Sequence, residues 1–148
     1  MLRVSKLTDY ATVVMTVLAE SHDEVFSAQA LAERAHLELP TVSKLLKQLA
    51  QAELVESFRG VNGGYRLARA PEQISLADIL VAMEGPFGMT ECSAHHGACG
   101  HEPHCGVRGN WRRVSEVIET TLRQMTLADM RRPPPKRATI PMRLVATA

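Results

Sequence analysis

The sequence predicts a mainly α-helical fold with one small β-hairpin, and three observations carry that expectation. Apolar residues recur every three to four positions through five separate stretches of the 148-residue chain, the periodicity of amphipathic helices. A turn rich in glycine, Arg59-Gly60-Val61-Asn62-Gly63-Gly64, joins two short runs suited to strands. The chain is 45% hydrophobic but holds only 1 Trp, 2 Tyr and 3 Phe, so its core must be built from Leu, Val, Ile, Ala and Met. That length accommodates one compact domain with an appendage, or two very small domains.

Thr8 is the expected cap of a first helix running through Glu20, with Tyr10, Val14, Val17 and Leu18 as its stripe. Ser27 caps a short second helix through Ala35. After His36 to Leu39, Pro40 suits the first position of a third helix, where its missing N–H is not needed. Val42, Leu45, Leu46 and Leu49 then form the buried face, leaving Thr41, Ser43, Lys44, Lys47, Gln48 and Gln51 outward. That outer face holds hydroxyls, amides and ammonium groups but no carboxylate, a chemistry suited to base edges and phosphates in the major groove.

The extended runs Leu54 to Phe58 and Tyr65 to Leu67 flank Asn62-Gly63-Gly64, whose expected positive φ angles close a tight hairpin. Three helices followed by a hairpin make a winged helix-turn-helix over residues 1–70. In that architecture the third helix enters the major groove of double-stranded DNA, and the hairpin tip, flanked here by Arg59 and Arg66, approaches phosphates or the minor groove. A phosphate-cradling loop is disfavoured, because no Lys-Ser/Thr follows the glycines and no helix begins there.

The formal net charge of +1 conceals an uneven distribution. Residues 1–70 balance eight basic against eight acidic side chains, residues 71–130 carry four against eight, and residues 131–148 carry five against none. The last segment holds Pro133, Pro134, Pro135 and Pro141 without helical periodicity and reads as a basic, disordered tail. No stretch reaches the roughly 18 to 20 apolar residues needed to cross a bilayer, and no signal-peptide cleavage pattern follows the N-terminus. The expected location is the cytoplasm.

Ser75 opens a capping box with Asp78, and Leu76, Ile79, Leu80 and Met83 continue a helix that Gly85-Pro86 stops. Beyond it, all three cysteines (Cys92, Cys99, Cys105) and four histidines (His95, His96, His101, His104) fall within fourteen residues. A metal group is the economical explanation in a reducing compartment. The gaps between thiols are wider than the two to four residues usual for structural zinc, which favours the larger body of an iron-sulfur cluster, with zinc as the alternative. From Asn110 onward, Trp111, Val114, Ile118, Thr121, Leu122 and Met125 recur at helical spacing. Such a helix, about 30 Å long for roughly twenty residues, can bury its stripe against the same helix of a second subunit. Residues 71–130 therefore read as a helix, a cysteine loop and a dimerisation helix. A catalytic role is not expected, since there is no Cys-x-x-Cys and no domain remains to form a pocket.

The segments RVSKLTDYATVVM (3–15), RGVNGGYRLARAP (59–71), ISLADILVAMEG (74–85), the cysteine triplet and TLADM (126–130) together resemble the iron-sulfur-sensing winged-helix transcriptional regulators. That family includes IscR-type and NsrR-type proteins, and the N-terminal stretch is most similar to the branch that regulates the SUF assembly system. The resemblance implies a cytoplasmic homodimeric regulator, a repressor, whose [2Fe-2S] or [4Fe-4S] cluster reports cluster supply or oxidative and nitrosative stress. It implies Cys92, Cys99 and Cys105 as ligands, joined by a fourth that is not cysteine. The IscR type places a histidine three residues after the last cysteine, where this chain has Arg108, which cannot ligate because it is always protonated and offers no lone pair. The NsrR type takes an aspartate from the start of the other subunit's first helix, a position matched by Asp9; His101 and His104 are the alternatives. Ser43 and Lys44 stand where the IscR type has an acidic residue and Gln, so a different operator is expected, and Arg59 matches the arginine the family places in the minor groove.

Overall fold

In this computed structural model, which describes residues 3–95, 97 and 99–133, helix α1 spans Lys6–Leu18. Its cap is Ser5 rather than Thr8: the Ser5 Oγ accepts from the Thr8 N–H at 3.2 Å. Thr8 lies one turn inside with its side chain fully buried. The helix also ends earlier than expected, giving way to a 3-10 turn at Ala19–Ser21. Helix α2 covers Ala28–Ala35 under the Ser27 cap, and His36 closes it in the left-handed conformation at φ 53°. Helix α3 runs from Leu39 to Gln51, so Pro40 occupies the second rather than the first helical position.

Strands β1 (Val55–Phe58) and β2 (Gly64–Leu67) pair antiparallel, with Val55 opposite Leu67 and Phe58 opposite Gly64. The loop glycines work differently from the sequence expectation. The positive φ falls at Gly60 (104°), not in Asn62-Gly63-Gly64. Gly63 and Gly64 are required for close approach instead: a Cβ at Gly64 would lie 2.3 Å from the Phe26 carbonyl oxygen. That approach lets Tyr65 exchange two backbone hydrogen bonds with Phe26, at 2.9 and 2.8 Å, so the wing is sewn to the segment before α2. Gly64→Ala is expected to break this exchange and cost about 1–3 kcal/mol, read as a lower urea midpoint; an unchanged midpoint would contradict the role given to the bridge.

Helix α4 (Leu76–Glu84) carries the complete Ser75–Asp78 capping box and stops at Gly85, φ 88°. A short helix α5, Glu91–Ala94, follows. Helix α6 is Arg108–Gln124, 17 residues, starting earlier and running shorter than the sequence expectation. Helix α7, Leu127–Arg131, returns under a Thr126–Asp129 capping box. Backbone bonds at 2.8 Å from Leu76 N–H to Met125 and from Leu127 N–H to Ile74 tie the two ends of the α4–α6 excursion together.

The core is aliphatic throughout. Val14, Met15, Leu18, Leu31, Val42, Leu45, Leu46, Leu49 and Leu54 are fully buried with Ile74, Ile79 and Leu127, so α4 and α7 are packed into the same core as the three N-terminal helices. Among the described residues no helix is long and apolar enough to cross a membrane. The proline-rich tail lies outside the described residues beyond Pro133, as does His96.

Candidate DNA-reading surface and cysteine loop

Helix α3 presents Lys44 and Lys47 to solvent and leaves Thr41 and Ser43 half-buried beside them. No acidic residue lies within α3. Gln48 departs from the outward placement expected of it. It lines a groove between α3 and α4 together with Leu54, Arg69, Asp78, Val81 and Arg123, and its Oε1 is buried. The residue lies about 100° around the helix from Lys47, which turns it toward α4.

At the wing, Arg59 and Val61 are exposed at the tip. Arg66 is held along the strand rather than at the tip: its guanidinium pairs with Glu56 Oε2 at 2.7 Å and stacks over the Phe58 ring at 5.0 Å. The Arg66 guanidinium is thereby engaged within the hairpin, whereas Arg59 is exposed at its tip.

The cysteines all lie on the segment between α4 and α6. Cys92 is buried on α5, with its Sγ 3.3 Å from Thr90 Oγ1, while Cys99 and Cys105 are half-buried. Three structural anchors hold this segment. Gly88 packs against Ala94 so closely that a Cβ would meet its amide nitrogen at 2.4 Å. The Met89 N–H donates to the buried Ser115 Oγ on α6 at 3.0 Å. Glu102, buried in a 3-10 turn, pairs with Arg108 and, at 3.6 Å, with Arg112. The sequence pattern does not mark Glu102, because its pairing with Arg108 and Arg112, six and ten residues further on, is set by the fold.

The donor set fits an iron-sulfur cluster: three thiols on one loop are the soft ligands such a body requires. Among the described residues no three His, Cys, Asp or Glu side chains are gathered closely enough to hold a metal ion. His101 and His104 are exposed, their rings edge-on at 6.4 Å. Asp9 is exposed on the first turn of α1. Arg108, at the position of the IscR-type histidine, is engaged with Glu102.

The start of α1 is latched to the end of α4. Glu84 Oε1 accepts from the Thr8 hydroxyl at 2.6 Å and from the Ser5 N–H at 3.0 Å. The Thr8 bond first, then the Ser5 N–H, holds the Glu84 carboxyl below its ordinary value of 4.5. A depressed carboxylate contributes stability that is present above the unfolded value and is lost as pH falls through the folded one. Glu84→Gln is therefore expected to lower Tm slightly at neutral pH, with the difference from wild type shrinking below the ordinary carboxylate range. A pH-independent difference would assign the effect to packing.

Helix α6 packs against α4 and α5 of its own chain. Ile118 and Leu122 are half-buried toward α4. The stripe is wider than α4 covers, however. Trp111 (41% exposed), Val114 (42%), Val117 (61%) and Met125 (46%) remain open to solvent. Val117 was absent from the sequence-derived stripe.

A helix-turn-helix with a basic reading face and a wing defines a class, the winged-helix DNA-binding regulators, and comparison with known proteins narrows it. Residues 4–133 match the Rrf2 family, described as iron-dependent transcriptional regulators, and the chain belongs to that family. The putative HTH-type transcriptional regulator slr0846 of Synechocystis is 52% identical over 105 residues, covering 70% of this chain and 69% of the relative. The solved IscR of T. potens is 33% identical with TM-score 0.65, covering 87% of this chain and 85% of that one. CymR, the global cysteine regulator of B. subtilis, is 29% identical with TM-score 0.69, covering 88% and 97%. The protein is thus a DNA-binding transcriptional regulator, and its relatives are regulators rather than enzymes.

Proposed function

We propose that the protein is a homodimeric, cytoplasmic repressor of iron-sulfur assembly genes whose operator affinity is set by a [2Fe-2S] or [4Fe-4S] cluster. One observation carries the reading: all three thiols lie on the segment strung between α4, which is latched to the first helix of the DNA-reading unit, and α6, which leaves an apolar stripe open. Residues 1–70 read DNA, residues 71–130 hold the cluster and the dimer helix, and residues 131–148 form an appended basic tail.

Cys92, Cys99 and Cys105 are the thiolate ligands. Asp9 of the second subunit is the fourth, on the strength of its match to the NsrR-type aspartate and its exposure on α1, with His101 and His104 the competing donors. When bound, the cluster supplies a reactivity toward oxygen species, nitric oxide and iron loss that side chains lack. Thr41, Ser43, Lys44 and Lys47 face the major groove and Arg59 enters the minor groove, with Arg66 and Gln48 supporting the hairpin and the α3–α4 contact. Strain on the cysteine loop passes through Glu84 to Thr8 and α1, which packs directly on α2 and α3. A coupling of about 1–3 kcal/mol along that route changes operator affinity roughly 5- to 150-fold.

Purification without oxygen, followed by the visible spectrum and analysis for iron, sulfide and zinc, tests the cofactor. Brown protein with iron and sulfide is expected. Colourless protein that holds zinc would instead make the loop a structural staple in a winged-helix regulator that senses something else.

A further inference from the structure

Glu102 is the only buried carboxylate among the described residues, and it sits midway between two of the cysteines. Its backbone N–H donates to the Cys99 carbonyl at 3.0 Å, and its own carbonyl accepts from the Cys105 N–H at 3.4 Å. Its side chain reaches in two further directions. Oε2 accepts from the Gly97 N–H at 2.8 Å, and Oε1 faces the guanidinium groups of Arg108 and Arg112 on the first turns of α6. One residue therefore joins the strand of chain before Cys99, both half-buried cysteines and the apolar-striped helix. A buried carboxylate is retained only where its charge is matched, and here Arg108 and Arg112 of α6 supply the match.

The geometry points to Glu102 as the positioning residue of the cysteine loop: paired with Arg108 and Arg112, it clamps the Cys99–Cys105 segment onto α6 and so restricts where two of the three thiols can lie. The same pairing engages the guanidinium of Arg108, the residue that stands where the IscR type has its histidine. It also makes α6 the element that feels any displacement of the loop. This inference rests on the cluster reading for its second consequence but not for its first.

The test uses the full chain with Glu102→Gln, an isosteric loss of charge, and Glu102→Asp, which keeps the charge. In metal-free protein the amides of Gly97, Glu102, His104 and Cys105 are expected to exchange roughly tenfold or more faster in Glu102→Gln, while α3 amides are unchanged. Unchanged protection of those four amides would overturn the clamp. After iron-sulfur reconstitution, iron loss to a chelator is expected to be several-fold faster in Glu102→Gln with the initial iron content preserved, and slower again in Glu102→Asp. Faster exchange with an unaltered release rate, or no recovery in Glu102→Asp, would overturn the positioning role and leave a merely structural ion pair. Should wild-type protein take up no iron and sulfide, the cluster reading fails, and the exchange measurement alone decides the clamp. Unfolding of Glu102→Gln, detected by circular dichroism, shifts the same comparison to Arg112→Gln, where loss of loop protection supports the clamp and its retention overturns it.

Discussion

Cys92→Ala is expected to leave a folded protein that binds no iron-sulfur cluster and no longer distinguishes cluster-loaded from cluster-free conditions at its operator. The side chain is buried on α5, but it lies outside the aliphatic core formed by α1 to α4 and α7. Its removal deletes one small sulfur group beside Thr90, so the loss of packing is slight compared with the loss of a ligand. Operator affinity should settle at a single value, erasing the roughly 5- to 150-fold difference between forms. Far-UV circular dichroism and a thermal melt near those of wild type accompany that result. Unfolding of the variant would point to a structural metal whose binding energy supports the fold.

The second large effect lies on α6. Val114 is 42% exposed at the middle of a stripe shared with Trp111, Val117 and Met125. Trp111, Val117 and Met125 are each exposed as well, so the single chain covers the stripe only in part, and the proposed second copy would cover the rest through a two-fold interface. Val114→Glu places a carboxylate where the dimer would bury it, at a cost on the order of 3 kcal/mol or more, which exceeds a hundredfold in dimer affinity. Because the site is half-exposed in the single chain, the monomer is expected to fold. Sedimentation should therefore report a monomer, and binding to a palindromic operator should fall by about two orders of magnitude or more, since two linked reading helices are replaced by one. A dimer of wild-type affinity would place the subunit contact elsewhere.

The helical stripes were legible in the sequence because they are set by local periodicity: Val42, Leu45, Leu46 and Leu49 are all fully buried. The Ser27 cap and the Ser75–Asp78 box were also legible, being local exchanges between neighbours. Long-range partners were not. Thr8 reads as a cap by residue type, yet its hydroxyl is drawn inward by Glu84, 76 positions away, and Ser5 takes the cap. Asn62-Gly63-Gly64 reads as the turn, whereas Gly63 and Gly64 are fixed by the approach of Gly60, Phe58 and Phe26. The outward face of α3 was predicted from one helix alone, and Gln48 was misplaced because α4 packs over that edge. The cysteines of the candidate site were visible as a pattern, but their anchoring to α6 through Glu102 and Ser115 depends on contacts that periodicity does not encode.

The proposed function requires that one loop on this chain set the affinity of a DNA-reading surface on the same chain. Its most direct test is an anaerobic titration of the protein's own promoter DNA with cluster-loaded and cluster-free protein, at one fixed salt concentration. Affinities that differ by roughly 5- to 150-fold are expected. Equal affinities for the two forms would contradict the proposed function.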